Sequence, residues 1–343
     1  MNAPSGEQGS QVTPERLMQF AWGYAMPLVI ESAVTHGVFD VLNGGPKTAG
    51  ELAAQTGTSE RGLRMILNVL VSMELLARDA GRRYVLTPES AAFLVSSKPA
   101  FQGGIFKHMS TQLLPKWLQL REVVRTGRPP ATVNQESTGA EFFQQFVEDI
   151  FPMSYGAAKA LGEALKLSAA AKNVRVLDLA AGSGVWGIAL AQQSSHVTVT
   201  AVDWPGVLPA TRRVIDRFGL GDRFTLVAGD LRDAAFGAGH HVATLGHILH
   251  SEGETRSREL LRKTFAALAP RGTIAIAEFL ANDDRTGPPM AMIFAVNMLV
   301  NTDQGDTFTF PEIRSWLADA GFTGARTLDA PGPSPLILAT KPG

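Results

Sequence analysis

No cysteine occurs among the 343 residues. That excludes disulfides, thiolate metal sites and a thiol nucleophile, and it fits a reducing compartment. Charge is scarce and balanced: charged residues make up 18% and the formal net charge is −1, which gives no reason to expect a polyanionic partner such as nucleic acid. No apolar run reaches the roughly 18 residues that would span a membrane, and the polar start "MNAPSGEQGSQVTPE" lacks the apolar core of a signal peptide. The expectation is a cytoplasmic chain with no membrane partner. Apolar residues are plentiful at 45%, enough at this length for one large or two moderate cores.

Residues 1–13 are expected to form a disordered tail. Thr13-Pro14-Glu15 offers a threonine cap and a proline at the first helical position. The stretch 16–42 is apolar on nearly every side, interrupted by Gly23 and Pro27, and a helix without a polar face must be buried all round. Burial between domains or between subunits follows. Over 47–88, a helix, a Gly-containing turn, a second helix and the hairpin "LLARDAGRRYVLT" spell a winged helix. Such a module reads DNA when basic residues lead its second helix. Arg61 and Arg64 stand there beside Glu60, ahead of the apolar "MILNVLVSM", so packing is favoured over DNA reading. Residues 100–168 have helical spacing, split by "TGRPPATVNQESTG". Beyond 172, strand-like runs at 174–179, 197–202, 224–228, 242–249 and 272–280 alternate with helical stretches at 184–193, 207–218, 254–269 and 289–300. This alternation predicts a parallel sheet covered on both faces, and the C-terminal stretch adds two strands as an antiparallel edge hairpin.

The run "VRVLDLAAGSGVWGIAL" places Asp178 late in a buried strand, just ahead of a glycine-rich turn. Such a turn lets a ligand approach the backbone closely. Here Ala180 stands where GxGxxG would begin and no GK[ST] follows, so nothing balances a di- or triphosphate. A carboxylate before the loop suits a positively charged ligand instead. Asp203 ends the second strand, where an acid binds the hydroxyls of a ribose. Asp230 follows the third, placed to accept from an exocyclic adenine amine. Together these describe a nucleoside with a cationic tail and no phosphate, a description that S-adenosylmethionine meets.

The ordered motifs "VLDLAAGSG", "AVDWP", "AGDL", "LGHILHSEGE" and "GTIAIAEFL" resemble those of class I S-adenosylmethionine-dependent O-methyltransferases. More narrowly, they resemble the group that includes the caffeate, acetylserotonin and bacterial natural-product enzymes, and the resemblance covers almost the whole chain. It implies an α/β fold: a Rossmann-like, seven-stranded methyltransferase sheet preceded by an α-helical winged-helix dimerisation domain. The corresponding domains are dimerisation over 14–100, helical linker and pocket helices over 101–170, and S-adenosylmethionine binding over 171–343. A homodimer follows, with S-adenosylhomocysteine as cofactor product and no metal. The implied cofactor contacts are Asp178, Gly182, Ser183, Gly184, Asp203, Trp204, Asp230, Leu231 and Gly246. The family carries a lysine at the position of Gly246, so the methionine moiety needs other partners, such as backbone amides of 182–184 or Ser154 and Tyr155.

Methylation of a hydroxyl is helped by a base near neutral pKa. Of the seven histidines, His36 lies in the buried N-terminal stretch, His196 in a turn, and His240 and His241 before a strand. His247 lies within the fourth strand. His250 is expected to end that strand, facing the crevice. The resemblance selects His250 too, within an LHD-type stretch in which Ser251 replaces the aspartate and Glu252 follows. Glu278 matches one of two acids that orient the base; at the other, Thr307 stands beside Asp306. Candidates for the acceptor pocket are His108, Met109, Trp117, Phe146, Ile150, Met153, Phe294, Asn297, Met298 and Asn301, a methionine- and aromatic-rich set suited to a planar ligand. The expected function is transfer of a methyl group to a hydroxyl of a small, aromatic metabolite. The alternatives are the same fold turned to decarboxylation, hydroxylation or pericyclic chemistry, which the departures at Ser251, Thr307 and Gly246 allow, and a winged-helix DNA-binding regulator.

Overall fold

The computed structural model describes residues 12–343; the expected tail therefore falls almost wholly outside the described residues. The chain divides into a compact unit ending at Ser110 and a second, Thr111–Gly343.

The first unit holds α1 (Glu15–Trp22), α2 (Ala25–Thr35), α3 (Val38–Leu42), α4 (Ala49–Thr56), α5 (Glu60–Ser72), the strands β1 (Leu76–Arg78) and β2 (Tyr84–Leu86), α6 (Pro88–Phe93) and α7 (Gly103–His108). Helix α1 starts without a side-chain cap, so Thr13 does not play the expected part. Thr48 and Thr87 do cap α4 and α6, each in a reciprocal capping box, and Ser59 caps α5. Leu63, Leu67 and Leu70 of α5, at helical spacing, pack with Leu52 and Phe39 into one core. Strands β1 and β2 pair antiparallel with Leu76 opposite Leu86, completing the helix–turn–helix–wing pattern.

The second unit contains α8 (Leu114–Trp117), α9 (Leu120–Thr126), α10 (Glu136–Phe146), α11 (Phe151–Ala164), β3 (Val174–Leu179), α12 (Val185–Ala191), β4 (Val197–Asp203), α13 (Leu208–Arg217), β5 (Phe224–Ala228), β6 (His240–Gly246), α14 (Leu249–Ala267), β7 (Leu268–Ala277), α15 (Pro289–Asn301), α16 (Phe310–Asp319), β8 (Thr323–Leu328) and β9 (Leu336–Thr340). The sheet order is β5-β4-β3-β6-β7-β9-β8. The first five strands run parallel, and β9 and β8 close the edge antiparallel, the edge hairpin that the sequence predicts. Two apolar clusters cover the faces, one built on α11 and α12 and the other on α14 and α16. The chain runs outward from β3 through β4 to β5, then returns to β6 on the other flank of β3. That reversal is the switch point at which open α/β sheets bind ligands, at the carboxyl ends of the strands.

Strand β6 ends at Gly246, three residues earlier than its apolar run predicts, and β7 ends at Ala277. His250 therefore lies in the first turn of α14, not at a strand end.

Candidate active site

Beyond β3 the chain turns through Ala180, Gly182 and Gly184, all with positive φ. Ala180 adopts this conformation despite its Cβ, at a cost of order 1 kcal/mol. The loop is held from the neighbouring strand and helix: Gly182 N–H donates to Asp203 Oδ2 at 2.7 Å, Ala181 N–H to the Val202 carbonyl at 3.2 Å, and the Thr211 hydroxyl to the Gly182 carbonyl at 2.6 Å. The other Asp203 oxygen accepts from Trp204 N–H at 2.7 Å. Burial pushes the half-buried Asp203 carboxyl up to about 6, against the lowering effect of these two N–H donors. No cation compensates it, and each oxygen retains a free acceptor position for a hydroxyl. Gly184 and Ser183 complete the turn, with Ser183 buried.

Asp178 corrects the sequence reading. It is 1% exposed, and both carboxylate oxygens are engaged within the protein. Oδ2 accepts from Gly187 N–H at 3.0 Å and Oδ1 from the Thr244 hydroxyl at 2.7 Å. Burial raises its carboxyl to about 7, opposed by the Thr244 and Gly187 hydrogen bonds and reinforced by Asp203. Asp178 ties β3 to α12 and β6; it does not present charge to a ligand.

Asp230 is also otherwise engaged. Its oxygens accept from the Arg232 guanidinium at 2.7 and 2.9 Å, from Arg232 N–H at 2.9 Å and from Trp204 Nε1–H at 3.3 Å. The Arg232 bonds come first among the causes that hold its carboxyl down at about 2. An adenine amine would share this carboxylate with Arg232. Leu231, next to it, packs on the α14 face of the sheet, and its carbonyl accepts from Lys263 Nζ. Gly246 is close-packed: a Cβ there would overlap the indole of Trp186.

The second half of the site is a histidine–carboxylate pair. No side chain preceding α14 caps it; Glu278, one residue past β7, does so from across the sheet. Its Oε1 accepts from Leu249 N–H at 2.7 Å and His250 N–H at 3.3 Å, and its Oε2 meets His250 Nδ1 at 2.6 Å. A carboxylate only accepts, so Nδ1 carries the proton and Nε2 is left as a base. Glu278 is 3% exposed. Burial works to raise its carboxyl, but His250, His247 and the hydrogen bonds outweigh it and the net shift is downward. Phe294 lies edge-on to the His250 ring at 4.8 Å and stacks on Phe279 at 4.0 Å. His247, at φ +60°, has a buried, unpaired Nδ1, and burial pushes it down to about 4.

His247, His250 and Glu278 offer ligand atoms within 4.8 Å of one another. Within this group His250 Nδ1 is bonded to Glu278 Oε2 at 2.6 Å, and those two residues form a proton-handling pair.

The residues flanking the base have other partners. The Ser251 hydroxyl donates to the Ile248 carbonyl and Glu252 pairs with Arg256 at 2.9 Å. Thr307 is buried with an unpartnered hydroxyl, and Asp306 accepts from Thr307 N–H and pairs with Arg285. Among the described residues, Glu278 is the one carboxylate bonded to the ring. Among the acceptor candidates, Phe294 adjoins the base. Asn297 accepts from Trp117 Nε1–H at 3.0 Å, and Asn301 accepts from Lys116 at 2.9 Å while donating to Asn297. Asn297 and Asn301 thus tie α15 to α8, and Asn301 and Met298 are buried. Met153 is exposed on α11; Phe146 and Ile150 are half-buried. His108 and Met109 belong to the first unit. Thr244, Trp186 and Phe279 escaped the sequence reading: each looks like an ordinary strand or core residue until its neighbours in the fold, Asp178, Gly246 and His250, are known.

A glycine loop pinned by a strand-end acid at the switch point, with a histidine–carboxylate pair just beyond the ends of β6 and β7, defines a nucleoside-cofactor enzyme equipped to deprotonate an acceptor. The comparisons narrow the class. The O-methyltransferase domain model matches residues 117–323 and the O-methyltransferase dimerisation domain model matches 18–96; the chain belongs to the O-methyltransferase family. It is 30% identical to the 3-hydroxy-5-methyl-1-naphthoate 3-O-methyltransferase of Streptomyces sahachiroi over 98% of each chain. It is 28% identical to the tetracenomycin polyketide synthesis 8-O-methyl transferase of Streptomyces glaucescens, over 96% of this chain and 97% of the other. Human N-acetylserotonin methyltransferase shares the fold, with a TM-score of 0.84, 24% identity and coverage of 98% and 100%.

Proposed function

We propose that this enzyme moves a methyl group from S-adenosylmethionine to a hydroxyl of a small aromatic metabolite, with His250 as general base. The observation that carries the reading is the 2.6 Å pairing of His250 Nδ1 with the buried Glu278 beside the glycine loop. Asp203, desolvated and lacking a cationic partner, fits two ribose hydroxyls, and the Gly182–Gly184 turn leaves room for close approach. When bound, the cofactor supplies an electrophilic methyl group on a sulfonium. His250 Nε2 takes the hydroxyl proton, and Glu278 holds the ring by Nδ1–H and stabilises the imidazolium that results. Phe279 and Phe294, stacked beside the base, suit a flat acceptor and keep water from it. The hydroxynaphthoate in the name of one relative, and polyketide synthesis in that of another, support this acceptor class.

The division read from the sequence is kept in the proposal: dimerisation over 14–100, connecting helices over 101–170 and cofactor binding over 171–343, assembled as a homodimer. No helix among the described residues is long and apolar enough to cross a membrane, and the cysteine-free composition suits a cytoplasmic setting.

The test is methyl transfer from labelled S-adenosylmethionine across a panel of hydroxylated aromatics, with the product identified by mass. With an acceptor in hand, His250→Ala is expected to lower turnover by roughly 10²–10⁴-fold and to leave affinity for S-adenosylhomocysteine within about two-fold. Near-wild-type turnover in that variant would remove His250 from its role.

A further inference from the structure

Gly246 ends β6 with an indole where its own side chain would stand. A Cβ added there would overlap Trp186 Nε1 and come within 2.6 Å of the indole Cδ1. Trp186, the second residue of α12, is 5% exposed. The N–H of Trp204 donates to Asp230 and that of Trp117 to Asn297, but the N–H of Trp186 donates to no acceptor among the described residues. Unlike the sealed Nδ1 of His247, it is not cut off from solvent. An indole N–H at such a place finds a partner as a rule, and one left unpaired on burial is costly.

Its place along the sheet edge indicates what that partner is. Asp230, Asp203, the glycine loop and Gly246 stand at the carboxyl ends of β5, β4, β3 and β6, in the order in which those strands lie side by side. A nucleoside whose ribose rests on Asp203, with its base toward Asp230, sends its tail across β3 to β6, toward the histidine that follows. The amino-acid end of S-adenosylmethionine carries a carboxylate, which needs donors. The buried acid Asp178 cannot supply one, and the side chain of Lys263 is spent on the carbonyls of Leu231 and Arg232.

We propose that Trp186 Nε1–H donates to the carboxylate of the cofactor's amino-acid tail, a neutral donor standing in the space that a side chain at Gly246 would fill. The inference rests on the cofactor reading above and adds to it a residue that distinguishes cofactors with that carboxylate from adenosines without it.

Two ligands separate the two ideas: S-adenosylhomocysteine, and 5′-methylthioadenosine, which keeps the nucleoside and sulfur but lacks the amino-acid tail. In full-length protein with ¹⁵N-labelled tryptophan, the Trp186 indole N–H resonance is expected to move downfield with S-adenosylhomocysteine and to stay in place with 5′-methylthioadenosine. By calorimetry, Trp186→Phe, which keeps a ring and removes the donor, should weaken S-adenosylhomocysteine roughly 10- to 100-fold, as for a hydrogen bond to a charged group. Its affinity for 5′-methylthioadenosine should change less than two-fold. Unchanged binding of S-adenosylhomocysteine, or equal losses for both ligands, would overturn the proposal, since the ring would then act by packing alone. Should the variant fail to fold, an indole resonance in the wild type that ignores S-adenosylhomocysteine, or answers both ligands alike, overturns it as well. Wild-type protein that binds neither ligand would bring down the cofactor reading itself.

Discussion

Glu278 caps the first turn of α14, fixes the tautomer of His250 and holds a negative charge beside its ring. Glutamine can keep the first of these tasks but not the other two. Its carbonyl can accept from Leu249 and His250 N–H, while its amide would face Nδ1 as a donor and force the proton onto Nε2, the atom that must accept. Glu278→Gln is expected to lower turnover by about 10²–10⁴-fold while the protein melts close to wild type and binds S-adenosylhomocysteine unchanged; turnover within a few-fold of wild type would show that Glu278 only caps the helix. Asp178 carries a prediction of a different kind. Its folded pKa of about 7 lies above the value of about 4 for an unfolded chain, so the folded state binds the proton more tightly. The stability this provides is complete below about pH 4 and is lost as pH rises through about 7, a change on the order of 4 kcal/mol. Asparagine cannot ionise, yet it can still accept from Gly187 N–H and donate to the Thr244 oxygen. Denaturation profiles between pH 5 and 8 should therefore fall more steeply for the wild type than for Asp178→Asn. Parallel profiles would mean that Asp178 is no more proton-loving folded than unfolded.

Helix α12 lies on the sheet through Gly187, where an added Cβ would meet Val199 Cγ1 at 2.8 Å, the Phe224 ring at 3.0 Å and Asp178 Oδ2 at 3.1 Å. Gly187→Ala must lift the helix from β4 and strain the hydrogen bond to Asp178. A loss of about 1–3 kcal/mol is expected from overpacking, read from chemical denaturation; a variant as stable as wild type would show that α12 can shift without cost. This contact marks the limit of what the sequence displays. Apolar runs announce every central strand, and the late hairpin announces the antiparallel edge, because buried parallel strands need continuous apolar residues whatever their neighbours are. The end of β6 is not announced. "LGHILH" continues the strand pattern, and what stops it is Glu278 arriving from β7 to cap the next helix, a partner 28 residues away in the chain. Asp178 shows the same limit: a carboxylate before a glycine loop suggests a ligand, and only the register places Thr244 beside it. His250 and Glu278, which the structure pairs, are visible in the sequence as residue types in order, whereas the asparagine contacts of α15 are not, since their partners Trp117 and Lys116 lie some 180 residues earlier.

At the scale of the whole molecule, the apolar N-terminal segment is satisfied on one side only. Ile30 and Ala33 of α2 enter the core of the first unit, but α1 buries none of its residues. Leu17 and Phe20 are 69% and 67% exposed, with Trp22, Tyr24 and Met26 exposed beside them in sequence. A soluble monomer rarely leaves so many large apolar side chains in water, and burying each is worth about 1.5–3 kcal/mol. The family's dimerisation domain covers this stretch from residue 18 onward, which makes a second copy of the chain the natural cover. Light scattering at micromolar concentration should therefore report twice the 36.6 kDa chain mass. The double substitution Phe20→Asp with Trp22→Asp places two charges in the contact and should move the protein to the monomer mass. Leu118→Asp, at an exposed leucine of the second unit, supplies the comparison and should leave the assembly as it was. A wild-type monomer at micromolar concentration would rule out the dimer, and dissociation by Leu118→Asp with none by the α1 pair would place the contact elsewhere on the chain.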